Sequence, residues 1–213
     1  MRFGDLVKDD KSTKILNAAI KIFADKGYQY ATIAEIAKEA GISKGLIHFY
    51  FESKLDLILS VILSFLEHVN MINAKKLIDA NSPVDSLKAV FETFQELLLK
   101  DEENLYWGKI LNVGLPEVDK IKSDVLRNKK IAIDNQNREL FNTIDRLIIE
   151  GQKVSLLNEN LKPEIIRQIL GGSSQFLTTG MYLQLSGKGG LGYNKDDVKK
   201  AMNMLIDSFT AVK

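Results

Sequence analysis

The chain has 213 residues, 45% hydrophobic and 27% charged, which suits one moderate globular domain or two small ones with a sizeable core. It contains no cysteine, so disulfide frameworks and thiolate metal sites are excluded, and a net charge of +1 argues against a wholesale nucleic-acid coat protein. Up to Lys54, nine Lys/Arg face seven Asp/Glu, giving that piece +2 and leaving the rest near neutral; residue position must therefore carry any case for DNA.

The opening MRFGDLVKDDK has mixed charge, no periodicity and no signal-peptide core, which predicts a loose arm and a cytoplasmic protein. Ser12 or Thr13 caps a helix to about Lys26, with Ile15, Ala19, Ile22 and Phe23 as its apolar stripe and Gly27 as its stop. Thr32 and Glu35 form a capping box that opens a short helix bearing Ile33, Ile36, Ala37 and Ala40. Gly41 supplies the left-handed turn, and Ser43 caps a second short helix, Lys44 to Tyr50. Counted from Ile33 as one, Ala37 falls at five and Gly41 at nine. Apolar or aromatic residues fall at four, eight, ten, fifteen and eighteen (Ile36, Ala40, Ile42, Ile47, Tyr50). Two helices with that spacing cross closely on a shared small core while the second stays exposed. This is the pattern of a DNA-binding helix-turn-helix.

Ser53 begins a helix that runs to about Ile78, with Asp56 in capping-box position. Its nearly apolar run, 57–66, is about half a membrane span and reads as a helix buried in protein. Ser82, Pro83 and Asp85 open the next helix, to about Leu99, and a shorter one follows around 105–112. From Glu117 to Glu150 no Pro or Gly interrupts the apolar recurrence, which predicts one long helix ended by Gly151. Pro163 starts a helix to about Leu185, the loop 186–193 is glycine-rich, and Asn194 caps a last helix to about Val212. No strand pattern or repeat is present, so the expected fold is all-α with about nine helices. The expected domains are 1–54 for DNA binding and 55–213 for effector binding and dimerisation.

The run ILNAAIKIFADKGYQYATIAEIAKEAGISKGLIHFYFESKLDL resembles the TetR (tetracycline-repressor-like) transcriptional regulators, whose A…F…G(Y/F)…T…IA…AG(V/I)SKG…(Y/H)(Y/F)F…K it follows in order and spacing. The resemblance implies a homodimer with N-terminal DNA-binding domains and a C-terminal domain holding an effector pocket. Effector binding would respace the two reading heads and weaken operator binding. On this pattern the DNA-binding residues are Thr32, Ser43, Lys44, Gly45, Leu46, His48, Phe49, Tyr50 and Lys54. Two positions depart from it. His48 stands where tyrosine is usual and makes the local charge pH-dependent, and Leu46 replaces a frequent Thr and suits a thymine methyl. Each residue also has a plainer role: Thr32 and Ser43 as caps, Lys44 as a solvated lysine, Tyr50 as partial core. Placement in the motif favours DNA.

Beyond Lys54, the aromatic residues Phe91, Phe94, Tyr106, Trp107, Phe141, Phe176 and Tyr182 are either ordinary core or the walls of an apolar effector cavity. The effector-binding expectation is Phe91, Phe94, Trp107, Leu111, Phe141, Ile144, Gln175, Phe176 and Thr179, with Asn112 and Asn137 as further polar groups. Gly171 and Gly172 inside a helix cost roughly 1 kcal/mol each relative to alanine. They imply close helix packing, with a helix kink beside the pocket as the alternative, and with Leu205 and Phe209 they make the dimerisation expectation, since in the family the last two helices form the dimer's four-helix bundle. The tail from Phe141 through EGQKVSLL and PEIIRQILGGSSQF is similar to the subgroup that regulates fatty-acid degradation in response to long-chain acyl-CoAs.

Gly187–Gly192 matches G-x-G-x-x-G but lacks the strand and βαβ unit a dinucleotide site needs, so it reads as an interhelical loop. No catalytic residue, metal site or cofactor is expected, because two histidines without cysteine offer no nucleophile–base spacing. The expected partners are double-stranded operator DNA, a small-molecule effector and a second copy, with no membrane. The rivals are a helical protein-interaction module and, less favoured, a small-molecule enzyme.

Overall fold

Eight α-helices form among the described residues, which are 10–99, 115, 117–185 and 192–210 of the computed structural model. They are α1 (Asp10–Tyr30), α2 (Ile33–Ala40), α3 (Lys44–Tyr50), α4 (Lys54–Lys76), α5 (Pro83–Leu99), α6 (Asp124–Lys153), α7 (Pro163–Leu185) and α8 (Lys195–Ser208). The fold is all-α as expected, and one isolated antiparallel bridge joins Leu157 to Thr210. The helix expected around 105–112, with Tyr106, Trp107, Leu111 and Asn112, lies outside the described residues, as does 186–191 of the glycine-rich loop.

Packing divides the chain into Met1–His68 with Tyr106–Gln136, and Val69–Leu105 with Asn137–Lys213. The first unit therefore extends beyond the expected boundary at Lys54, taking in α4 up to His68 and α6 up to Gln136.

In the first unit the expected stripe of α1 is buried at Ile15, Ala19 and Phe23, together with Ile36 of α2, Ile47 of α3 and Leu57 and Ile58 of α4. Each such large side chain removed from water contributes about 1.5–3 kcal/mol. Gly27 has φ 78° and ψ 155°, which breaks the regular helix; one further turn follows, with Ala31 N–H donating to Gly27 O at 3.1 Å. The helix thus stops where glycine predicts and then resumes, rather than handing over to a linker. Gly41, at φ 66°, closes α2 with its N–H on the carbonyls of Ala37 and Lys38. α4 is long and apolar enough to cross a membrane by length and composition alone, but Leu57, Ile58, Leu59, Val61, Phe65 and Val69 are buried inside protein.

The second unit is built on one apolar cluster. α5 contributes Leu87, Val90 and Phe91; α6 contributes Leu140, Ile144, Leu147 and Ile148; α7 contributes Ile166 and Leu170; α8 contributes Met202 and Ile206. Ion pairs rim it: Lys88–Asp207 at 2.6 Å, Arg167–Asp145 at 2.7 Å, and Lys199–Glu92, whose hydrogen bond raises the lysine's pKa. The long helix expected from Glu117 begins later, because a single 3₁₀ turn at Val118–Lys120 and an extended Ile121 precede α6, which Ser123 caps through Leu126 N–H. Gly151 lies inside the last turn of α6 and does not end it. A Cβ there would sit 2.7 Å from Leu157 Cδ1, so glycine is required for Leu157 to reach the core. α8 also stops short of the expected Val212, at Ser208.

Candidate nucleic-acid interface

The reading unit is assembled by local chemistry. Thr32 Oγ1 accepts from Glu35 N–H at 3.3 Å, and Glu35 Oε2 accepts from Thr32 N–H at 3.1 Å, so the predicted capping box is complete. The Lys26 ammonium, with help from Thr32, holds the Glu35 carboxyl below its ordinary pKa. Ser43 Oγ accepts from Leu46 N–H at 3.2 Å and starts α3. Within α3 a single side chain, Ile47, is buried. Around it Lys44, Gly45 and His48 are exposed, Leu46 is half-buried, and Phe49 is 81% exposed with Tyr50 set edge-on against it, ring centroids 5.4 Å apart. A capped, seven-residue helix anchored chiefly by Ile47 presents Lys44, Gly45, His48 and Phe49 outward, as a major-groove reader requires.

The basic residues of this unit differ in their partners. Lys21 and Lys26 pair with Glu39 and Glu35 on α2, tying α1 to α2. Lys44 is exposed and has no charged partner among the described residues; Lys38 on α2 shares that condition and was passed over by the sequence reading. Lys54 differs from the expectation of a phosphate contact. Its ammonium donates to the carbonyls of Tyr28 (2.8 Å), Gln29 (3.2 Å) and Ala31 (2.9 Å) and lies 4.7 Å from the centre of the Tyr28 ring. An ammonium has three N–H donors, and all three are occupied at the end of α1. Burial raises the pKa of the Tyr28 hydroxyl beside it.

In the second unit, the residues expected to meet an effector separate into two groups. Phe91 and Ile144 are core members, and Phe94 packs against them. Phe141 is 46% exposed under the Arg167 guanidinium (5.0 Å to the ring centre), Phe176 is 69% exposed, and Gln175 and Thr179 are also on the outside. Of the residues expected at a dimer interface, Gly171 and Gly172 are exposed, and a Cβ on either meets no atom within 4 Å. Leu205 and Phe209 pack against this chain's own core, because α8 turns Val198, Met202 and Ile206 inward and leaves Met204 outside. The sequence reading assigned these faces by residue type, and periodicity alone does not say which of two apolar faces meets the core. It also missed Asn73 on α4 and Gln95 on α5. Asn73 is 3% exposed, and neither of its amide atoms has a hydrogen-bond partner among the described residues; Gln95 is buried with its nitrogen in the same condition. Lone amides inside apolar helices were the available signal.

Residues 15–61 match the family described as bacterial regulatory proteins, tetR family. The fatty acid metabolism regulator protein of Bacillus subtilis is 24% identical over 78% of this chain and 80% of its own length. The HTH-type transcriptional repressor BepR of Brucella suis is 35% identical over 53% of this chain and 59% of its own. Among solved structures, the transcriptional regulator FadR of Bacillus subtilis in complex with stearoyl-CoA superposes with a TM-score of 0.70 over 92% of this chain and 97% of its own, at 21% identity. At that identity the likeness is one of fold.

Proposed function

We propose that the chain is a ligand-responsive, DNA-binding regulator of transcription of the tetR type, which represses from a near-palindromic operator as a cytoplasmic homodimer and releases it on binding a long-chain acyl-CoA. The observation that carries the DNA half is α3, anchored by Ile47 alone and offering Lys44, His48 and Phe49 outward. Lys44 meets guanine or phosphate, His48 donates to a base edge or phosphate, and Phe49 packs on a thymine methyl. Lys38 adds a phosphate contact from α2.

Two copies are supported by α7. Ile165, Ile169, Phe176 and Leu183 are exposed there, with Gly172 and Thr179 between them, at alternating intervals of four and three residues. That is the spacing of a two-helix seam. Gly171 and Gly172 face open space in one protomer, so their helix-weakening cost finds no return inside it; a second copy lying close across α7 supplies one. Two-fold pairing of α3 predicts half-site centres about one DNA turn, roughly 10 bp, apart or a simple multiple of it.

The acyl-CoA assignment is supported by what the Bacillus subtilis relatives are named for and bind, and by the apolar interior of the second unit. The buried amides of Asn73 and Gln95 are suited to the effector's polar atoms, since a buried group without a partner costs about 1–3 kcal/mol until it finds one. Lys44→Ala tests the DNA half: operator affinity in a gel shift should fall about tenfold or more, and an unchanged affinity removes α3 as the reader. Calorimetry with acyl-CoAs of graded chain length tests the effector half. Heat should grow with chain length and the bound protein should leave DNA; no binding at any length sinks the assignment.

A further inference from the structure

The turn from α3 into α4 is tied to the end of α1 by one lysine and to α6 by another. Lys54, the first residue of α4, occupies three carbonyls at the end of α1, where a helix leaves its acceptors unpaired and its dipole favours a cation. Lys129, on α6, pairs with Asp56 in the first turn of α4, donates to Ser60 Oγ at 2.8 Å and lies 5.8 Å from the centre of the Phe51 ring. Asp56 is 3% exposed, and its second oxygen accepts from Glu52 N–H at 3.0 Å, inside the turn itself. Ser53 caps α4 through Asp56 N–H at 3.0 Å, and Ser60 Oγ donates to Asp56 O at 2.8 Å. The Asp56 carboxylate therefore reaches back past Ser53 to Glu52 and bonds a backbone group immediately after α3. Every residue of this arrangement belongs to the first unit.

We infer that Lys54 and Lys129 are positioning residues for DNA reading, which fix the angle of α3 by pinning the α3–α4 corner and do not themselves contact phosphate. The inference rests on α3 being the helix that enters the groove. Phosphate contacts alone bind any duplex, whereas base contacts require α3 at one angle. Freeing the corner should therefore cost sequence discrimination and leave general DNA affinity in place.

The test uses the full-length protein with two duplexes of equal length: one selected by it from a random-sequence library, and one of random sequence. Lys129→Met should lower affinity for the selected duplex about ten- to hundredfold, the equivalent of one lost base contact. Affinity for the random duplex and the dependence of binding on salt should stay unchanged, and Lys129→Arg should restore discrimination. Lys54→Met should behave alike. Loss of affinity for both duplexes together, with the salt slope reduced by about one, would show a direct phosphate contact and overturn the inference. Retained discrimination would overturn it as well. Should Lys129→Met fail to fold because it strands a buried carboxylate, the double variant Asp56→Asn, Lys129→Met removes that charge and should show the same selective loss. Lys44→Ala on the same duplexes reports separately on α3: no effect there overturns the choice of reading helix, whatever Lys129→Met does.

Discussion

The two units of this chain are specified in different ways. In the first, the helix ends are set by near neighbours: Thr32 with Glu35, Gly41, and Ser43 with Leu46 fix both ends of α2 and the start of α3 within fifteen positions. In the second, residues farther along the chain decide: Gly151 is needed because Leu157, six positions on, folds onto it, and Gly180 because the Tyr193 hydroxyl, thirteen on, would lie 2.1 Å from an added Cβ as it donates to Leu177 O. A site carried by one short capped helix can be found by reading along the chain. A site distributed over four packed helices becomes apparent only once they are packed.

The contrast can be broken at three points, in decreasing order of expected effect. Phe176→Glu places a charge on the exposed stripe of α7, and sedimentation should show monomers. With one reading head in place of two, operator affinity should fall about a hundredfold or more; a dimer that persists would remove α7 from the interface. Gly151→Ala should lower the stability of the second unit by about 1–3 kcal/mol through overpacking against Leu157, seen in thermal unfolding. An unshifted transition would mean the two residues do not meet. Thr32→Ala should cost about 1 kcal/mol by removing the cap of α2, measured by urea unfolding at neutral pH. The same cap gives a pH signature with a definite sign. Glu35 is held below the ordinary carboxylate pKa by the Lys26 hydrogen bond first and those of Thr32 next, so its contribution is present above the carboxylate range and lost as pH falls through the lowered value. Thr32→Ala should therefore lessen the acid sensitivity of the first unit, and an unchanged acid profile would show that Thr32 plays no part in it.

Most of the reading unit was legible in the sequence because caps, left-handed glycines and a helical stripe act within a few residues. Lys54 is the instructive exception. Its place in the motif suggested DNA, while its actual partners, the carbonyls of Tyr28, Gln29 and Ala31, lie more than twenty residues away and have no side-chain signature. Lys129 was invisible for the same reason, since only the fold brings it to Asp56. In the second unit the core residues Phe91 and Ile144 were foreseeable from periodicity. The outward position of Gln175, Phe176 and Thr179 was not, because α7 is apolar on two faces and composition does not rank them; nor was that of Phe141 on α6.

Ile47 is the only buried side chain of α3, and a Cβ added at Gly45 would meet nothing nearer than Ser43 Oγ at 3.9 Å. Stability therefore places little constraint on the identity of Lys44, Gly45, His48 or Phe49. Such a helix works as an exchangeable cassette. If α3 reads DNA as proposed, the sequence it recognises can change at those four positions without disturbing the hydrophobic core.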